Sequence, residues 1–289
     1  MNVTNSILSY RRSLKRKNFS ANTIKNYLNG LKQFLIWVDV PIEEVDYQKV
    51  LYYVDFQLER TRAPKTINCH LSRIRLFYDY LIFDQGLKID NPVREGLSLR
   101  MPRPLPLFLK DSEVDIFLKA VNKPRDRAIF MLMLRSGLRV AEVAGLTLGD
   151  IDFRRGRIMV CEGKGSKDRA AYISKDALRA LVAYLQYRPN TEVKHVFLVD
   201  KGTYKGQPLS VRGIQKRIEH YARKAGLKVS CHRLRHTMAT QMLEAGAQLV
   251  SIQDLLGHER IKTTQIYFKV SNQKVQKDYY ETMDRIIEK

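Results

Sequence analysis

Two arginines, two histidines and a tyrosine in this sequence have types and spacing suited to phosphodiester chemistry. Arg139 stands upstream, His232 and Arg235 are close neighbours, and Tyr267 follows soon after His258. Arginine can bind a phosphate through paired hydrogen bonds, and histidine can transfer protons near neutral pH. A tyrosine hydroxyl can attack phosphorus and hold it covalently. Together these residues predict transesterification of phosphodiester bonds without a metal ion.

The spacing around Arg235 predicts which side chains in its segment work together. If the segment is helical, His232 and Arg235 share one face of the helix. His236 is predicted to point elsewhere, as a packing residue or one behind the reacting groups, and Arg233 to contact a phosphate or solvent. A His-x-x-Arg pair is weakly specific by itself, and the later histidine and tyrosine strengthen it.

The charge of the chain predicts a polyanionic partner. Its 289 residues include 51 Lys and Arg against 30 Asp and Glu, a net charge of +21. Basic side chains gain affinity for nucleic acids by releasing counterions from phosphates, although a soluble protein that is merely basic is the alternative. Hydrophobic residues make up 44% of the chain, enough to build a core and to exclude a disordered tail.

Cysteines and motifs limit the chemistry further. Cys69, Cys161 and Cys231 are scattered, which argues against a disulfide framework and a zinc site and favours a reducing cytoplasm. We find no signal-peptide pattern and no apolar run long enough to span a membrane. There is no P-loop, no Gly-x-Gly-x-x-Gly motif and no carboxylate cluster for two metals. We therefore expect no cofactor, no metal and no membrane partner.

The first 85 residues are predicted to be helical. Ser20 is a plausible N-cap for a helix to Val38, and Pro64 fits the first turn of another helix that ends near Phe83. The apolar face of this later helix comprises Ile67, Leu71, Ile74, Phe77, Tyr78 and Leu81. Its polar side carries Lys65, Asn68, His70, Ser72, Arg73 and Arg75. This side is either solvated or in contact with DNA, and we expect DNA contact through Lys65 and Arg73.

A proline-rich segment predicts the boundary between two domains. Pro102, Pro104 and Pro106 alternate with other residues, which excludes a helix and favours extended backbone. With Arg100 and Arg103 among them, residues 99–108 are predicted to form an extended basic linker that contacts DNA. Residues 1–98 then form a helical DNA-binding domain, and residues 109–289 form the second domain.

The second domain is predicted to be mostly helical with one small antiparallel sheet. Residues 126–136 form an apolar helix that ends at Gly137. Strands are expected at residues 152–153, 157–162 and 169–173, with a turn at 163–167 between the last two. An amphipathic helix is expected at about 272–287. The chain is thus mainly α-helical with a small antiparallel β-sheet, in two domains.

The chemical residues, taken with their surrounding sequence, resemble those of the tyrosine recombinases, or lambda-integrase family, of the Xer-like or simple integrase type. The similarity rests on Arg139, Lys164, the segment 232–235, the Leu-Gly-His ending at His258, and Tyr267. It covers both domains, and implies a helical core-binding (SAM-like) domain followed by a mixed α/β catalytic domain. It also implies a site-specific DNA recombinase that cleaves and rejoins strands through a 3′-phosphotyrosyl intermediate.

The resemblance assigns a role to each matching residue. Tyr267 is the nucleophile, Arg139 and Arg235 bracket the scissile phosphate, and Glu142 supports the active site. Lys164 protonates the departing 5′-oxygen, with Lys167 as the alternative residue for this role. His232 is the acid/base partner, and His258 donates a hydrogen bond to a phosphoryl oxygen.

Double-stranded DNA with specific recombination sites is the implied partner, bound by a homo-tetramer on two duplexes. The helix at 272–287 would dock on a neighbouring subunit, or on its own chain as the alternative. Integration or excision of a mobile element, or Xer-type resolution, would be the biological task; accessory proteins are unknown. The competing functions are relaxation of DNA by a type IB topoisomerase and DNA binding by a regulator without strand exchange.

Overall fold

The computed structural model describes residues 3–101, 107–160, 168–257 and residue 283. The chain divides into two compact units, Met1–Arg103 and Pro104–Lys289, which we call unit 1 and unit 2. This division falls within the segment predicted to be a linker.

Unit 1 is helical throughout its described elements. Its helices are α1 (Val3–Arg16), α2 (Ala21–Val38), α3 (Tyr47–Glu59) and α4 (Pro64–Asp79), with a 3₁₀ turn at Ile42–Glu44 and a π-helical turn at Tyr80–Asp84. As predicted, Oγ of Ser20 caps α2 by accepting a hydrogen bond from the backbone N–H of Thr23 at 3.1 Å. Pro64 opens α4, where its missing N–H removes no helical hydrogen bond.

The core of unit 1 forms where α2 packs on α4. All six residues of the predicted apolar face are buried, five on α4 and Leu81 in the π-helical turn that follows, which confirms that face. The predicted polar side is only partly exposed. His70 is 7% exposed, and its Nδ1 lies 2.8 Å from the hydroxyl of Tyr53, so its prediction as a solvent- or DNA-facing residue is wrong. The ring of Tyr53 covers it, and local periodicity does not reveal such a long-range partner.

Unit 2 combines seven described helices with one sheet. The helices are α5 (Asp111–Ala120), α6 (Pro124–Arg135), α7 (Val140–Gly145), α8 (Lys175–Leu185), α9 (Val211–Lys224), α10 (Cys231–Glu244) and α11 (Leu249–Leu256). Helix α6 packs against α8, α9 and α10, and residues 128–134 along it are all buried. It is therefore the central helix of this unit, as an apolar sequence without a polar face requires.

The sheet has three antiparallel strands in the order β1 (Ile151–Asp152), β2 (Arg157–Val160) and β3 (Arg169–Tyr172). In the register, Val160 faces Arg169 and Arg157 faces Tyr172. Each predicted strand is therefore present in part, with the first at Ile151–Asp152 rather than 152–153. Residues 161–162 of the second predicted strand and the expected turn at 163–167 lie outside the described residues. The pairing places Arg169 opposite Val160, the last described residue of β2.

The predicted fold class, mainly α-helical with a small antiparallel sheet, is confirmed. None of the helices in the described part of the chain combines the length and apolar character needed to cross a bilayer. Within the same residues, no group of three or more His, Cys, Asp or Glu side chains is placed to hold a metal ion.

Candidate active site

The carboxyl end of α11 is surrounded by three arginines from three different elements. Its last carbonyls lack partners inside the helix and carry partial negative charge. Arg169 donates from Nε to the carbonyl of residue 255 at 3.0 Å, and Arg139 donates from Nη2 to the carbonyl of Gly257 at 2.8 Å. Arg235 donates to the carbonyl of residue 256, between them. Three consecutive carbonyl groups, of residues 255–257, thus hold three arginines from distant parts of the sequence close together.

Arg139 is the N-cap residue of α7, and it donates two hydrogen bonds to the carboxylate of Glu142. Its backbone N–H donates to Oε2 of Glu142 at 2.7 Å, and its Nη1 donates to Oε1 at 2.7 Å. Glu142 is the third residue of α7, and its carboxylate reaches back to satisfy the N–H at the N-cap. The start of the helix therefore fixes the base of the arginine side chain, and the carboxylate orients its guanidinium.

Glu142 is shared between two arginines. Arg169 donates to both carboxylate oxygens, at 3.0 and 2.8 Å, in a forked ion pair whose side chains are 8% and 10% exposed. Burial raises the pKa of Glu142, but the hydrogen bonds and charges of Arg169 and Arg139 outweigh burial and hold the pKa below its ordinary value. The carboxylate is therefore ionised at neutral pH, with positive charge on both sides.

The sequence did not reveal Arg169 as a site residue. Arg169 is the first residue of the short strand β3, and nothing in that strand distinguishes it from the other basic residues of the domain. Its partners, Glu142 and the end of α11, are brought to it only by the fold. The nearest signal is Glu142 itself, since a buried carboxylate in a basic domain requires cationic partners.

Arg235 lies in the second turn of α10 and is 5% exposed. Its guanidinium donates to the carbonyl of Gly137 as well as to that of Leu256. Gly137 ends the segment after α6, as predicted, with a φ of +64°, a left-handed conformation that favours glycine. A β-carbon there would lie 2.9 Å from Cδ2 of Leu256, so the close approach of these segments also requires glycine.

His232 and His236 lie side by side on α10. Their Nε2 atoms are 2.7 Å apart, and the two rings meet nearly edge to face, with centroids 4.1 Å apart. The prediction that His236 points elsewhere is therefore wrong. Residues four apart on a helix are neighbours, and this spacing brings His236 to the same surface as His232.

Three of the predicted catalytic residues line one cavity of about 710 Å³ in unit 2. They are Arg139, His232 and Arg235. The rest of the lining consists of Val140, Gln215, Ile218, Glu219, Val229, Ser230 and Cys231. Burial raises the pKa of the Cys231 thiol to about 11, so this cysteine is a neutral packing residue rather than a nucleophile. The cavity is therefore lined by two arginines and a histidine, which are suited to a phosphate, together with one carboxylate residue, Glu219.

The other predicted catalytic residues, Lys164, His258 and Tyr267, lie outside the described residues, as do Arg103 and all of the predicted docking helix except Met283. Gly257, the left-handed C-cap of α11 whose carbonyl binds Arg139, immediately precedes His258.

The residues predicted to bind DNA differ in their surroundings. Lys65 and Arg100 are exposed, whereas Arg73 is half-buried against α2, where a β-carbon at Gly30 would lie 2.5 Å from its Nη1. Arg233 donates from Nη2 to the carbonyl of Phe108 at 2.9 Å. This contact ties α10 to the start of unit 2, and DNA contact by Arg233 stays a prediction.

Comparison with known proteins identifies the family. The model of the phage integrase family matches residues 108–274, and that of the phage integrase N-terminal SAM-like domain matches residues 7–85. Tyrosine recombinase XerC of Thermodesulfovibrio yellowstonii is 36% identical over 269 residues, with 88% of each chain covered. Tyrosine recombinase XerA of Thermococcus kodakarensis is 32% identical over 260 residues, covering 89% of this chain and 88% of the relative.

Solved structures share the fold. A crystal structure of XerA recombinase matches at 26% identity with a TM-score of 0.56, covering 96% of this chain and 98% of that one. A lambda integrase dimer bound to a COC′ core site matches in fold, at 17% identity and a TM-score of 0.75, over 92% of this chain and 95% of that one. With one family model spanning more than half of its length, the chain belongs to the phage integrase family, and it is a site-specific tyrosine recombinase, an enzyme that cleaves and rejoins DNA.

Proposed function

We propose that Arg139 and Arg235 bind the scissile phosphate and that Tyr267 attacks it. The observation that carries this proposal is the convergence of Arg139, Arg235 and His232 on one cavity. Guanidinium groups fixed before the substrate arrives can stabilise charge that develops in the transition state without rearranging. Glu142 and the carbonyls at the end of α11 hold both arginines in this way.

The proposed reaction has two symmetrical steps. The Tyr267 oxygen forms a bond to phosphorus while the bond to the 5′-oxygen breaks, leaving a 3′-phosphotyrosyl linkage. His232 accepts the phenol proton, Lys164 gives a proton to the departing 5′-oxygen, and His258 donates a hydrogen bond to a phosphoryl oxygen. An ordinary phenol has a pKa of about 10, so the neighbouring positive charges are needed to favour the phenolate. Attack by a 5′-hydroxyl of another strand reverses the step.

DNA is the partner, and we propose which residues contact it outside the cavity. Lys65, Arg73 and Arg100 in unit 1, Arg103 at its end, and Arg233 in unit 2 would bind the phosphate backbone. Such contacts position a protein on DNA without reading its sequence. Replacing any one of them should weaken DNA binding similarly for all sequences and reduce its dependence on salt.

We propose that four copies assemble on two duplexes carrying specific sites. Exchange between two duplexes requires four cleavages, and each chain has one proposed nucleophile. The helix predicted at 272–287 would join neighbouring subunits in a cyclic arrangement. The relatives named XerC and XerA favour the Xer-type task, and integration or excision of a mobile element is the alternative. We propose that the reaction takes place in the cytoplasm.

Strand exchange tests this proposal against the alternatives. Two labelled duplexes, taken from the replicon or mobile element that encodes the chain, would be incubated with the wild type, Tyr267→Phe and Tyr204→Phe. Tyr204 is exposed and serves as the matched control. We expect recombinant duplexes with the wild type and Tyr204→Phe only. Relaxation of supercoils without exchange would favour a topoisomerase, and binding without either reaction would favour a regulator.

A further inference from the structure

Arg169 connects two parts of the candidate active site. Through its two Nη atoms it donates to both oxygens of Glu142, and through Nε it donates to the carbonyl of Leu255. It also lies against the C-cap of α11, where a β-carbon at Gly257 would be 3.0 Å from its Cδ. All these contacts are made by one side chain that is 8% exposed.

The effect of Arg169 reaches Arg139 by two routes. The first is Glu142, which accepts from both arginines, so the direction of its carboxylate depends on the two together. The second is the end of α11, because Arg169 fixes the carbonyl of Leu255 and Arg139 binds that of Gly257. Removing Arg169 would leave Glu142, a buried carboxylate, with Arg139 as its one cationic partner among the described residues, so the Arg139 guanidinium would shift toward the carboxylate.

We propose that Arg169 is a positioning residue of the cleavage reaction, which holds Arg139 at the distance and angle that the scissile phosphate requires. The inference rests on the proposed role of Arg139 as a phosphate-binding residue. Arg169 does not itself line the cavity that contains Arg139, His232 and Arg235. It acts through Glu142 and the end of α11.

The contacts of Arg169 depend on the forked shape of its side chain. Arginine presents planar donors that can serve a carboxylate and a carbonyl at once, whereas lysine is a point charge. Arg169→Lys keeps a positive charge beside Glu142 but cannot bind both oxygens of Glu142 and the carbonyl of Leu255 in this geometry. Charge alone therefore does not restore the position of Arg139.

The test compares two DNA substrates that differ in charge at one atom. One duplex carries the normal scissile phosphate, and the other carries a methylphosphonate there, in which a methyl group replaces a charged oxygen. A defect in neutralising that charge is smaller on the methylphosphonate, whereas a general loss of structure affects both substrates equally. Single-turnover cleavage would be measured for the wild type, Arg139→Met, Arg169→Met and Arg169→Lys. Arg157→Met is the matched control, because Arg157 lies in the same sheet and pairs with Asp152 instead.

We expect Arg169→Met to slow cleavage of the phosphate about 10- to 100-fold, with a smaller loss on the methylphosphonate and unchanged DNA affinity. Arg169→Lys, which keeps the charge beside Glu142 if Arg169→Met fails to fold, should show the same dependence on substrate with a smaller loss. Arg157→Met should cleave both duplexes like the wild type.

Two outcomes separate this inference from the proposed function. If Arg139→Met lowers the cleavage rate by the same factor on both substrates, the proposed role of Arg139 fails. The second outcome requires that Arg139→Met lose more cleavage rate on the phosphate than on the methylphosphonate. If the folded Arg169 variants then cleave like the wild type, or are slowed by the same factor on both substrates, the inference about Arg169 is wrong.

Discussion

Replacing Gly137 by alanine should destabilise unit 2 and slow DNA cleavage together. Gly137 has a φ of +64°, and its carbonyl accepts a hydrogen bond from Arg235. A β-carbon would lie 2.9 Å from Cδ2 of Leu256 and 3.2 Å from Sδ of Met238. The substitution therefore combines backbone strain with a clash against two core side chains, next to a predicted catalytic arginine.

The size of the effect follows from three contributions. The left-handed conformation costs an alanine about 1–2 kcal/mol. Overpacking in a filled core costs about 1–3 kcal/mol. Alanine also lowers the conformational entropy of the unfolded chain, which stabilises the folded state by about 0.4–1 kcal/mol. We expect a net loss of about 1–5 kcal/mol in the free energy of unfolding, and cleavage slowed about 100-fold if Arg235 moves by about 1 Å.

Gly226→Ala is the matched control. Gly226 also lies in unit 2, with a φ of +67°, but a β-carbon there has no neighbour within 4 Å among the described residues. Gly226→Ala should lose only the backbone contribution, about 0–1.6 kcal/mol of the free energy of unfolding, and should cleave DNA like the wild type. Urea unfolding would be followed by circular dichroism, because the single tryptophan, Trp37, lies in unit 1. If Gly137→Ala were as stable and as active as Gly226→Ala, the reasoning would be refuted.

Three further predictions concern ionisable groups. Because the pKa of Glu142 is lowered in the folded chain, the stability it provides is present above about pH 4.3 and is lost as pH falls through its lowered pKa. Wild type should lose stability there more steeply than Glu142→Gln. Burial, helped by nearby arginines, lowers the pKa of His70, so unit 1 should lose stability as pH falls below about 6.5, and His70→Gln should reduce that loss. Cys69 is exposed and Cys231 is buried with a pKa of about 11, so peptide mapping should find Cys69 alkylated in the native chain and Cys231 only after unfolding.

Each of these has a contrary result. Equal acid sensitivity of wild type and Glu142→Gln would argue against an ionised carboxylate between two arginines. A flat pH profile for unit 1 between about pH 6.5 and 5 would argue against a buried neutral His70. Alkylation of Cys231 at the rate of Cys69 would mean that the cavity wall opens in the native chain.

The fold could be predicted because its signals are local. Each signal lies within one or two helical turns of the sequence: the N-cap at Ser20, the proline that opens α4, and the spacing of the apolar residues of α4. The turn at Gly137 is equally local, since left-handed backbone favours glycine. The structure has each of these features where the sequence predicts it, although α4 ends at Asp79 and a π-helical turn covers the rest of the predicted helix.

The site was predictable only where one helix or a known pattern joins its residues. Arg139, His232 and Arg235 follow the family pattern and meet in one cavity. Arg169 has no such signal, because its contacts with Glu142 and Leu255 join segments far apart in the chain. His70 was misplaced for the same reason: its partner Tyr53 comes from another helix. The error at His236 was local, because its spacing from His232 already made the two rings neighbours.

The most direct test of the account is a search for the covalent intermediate. Duplexes nicked just beyond a candidate cleavage position release a short fragment after cleavage, which traps the protein on DNA. With no magnesium present, a denaturing gel should show a protein–DNA adduct for the wild type and none for Tyr267→Phe. An adduct that persists in Tyr267→Phe, or its absence from wild type bound to the same recombination site, would contradict the account.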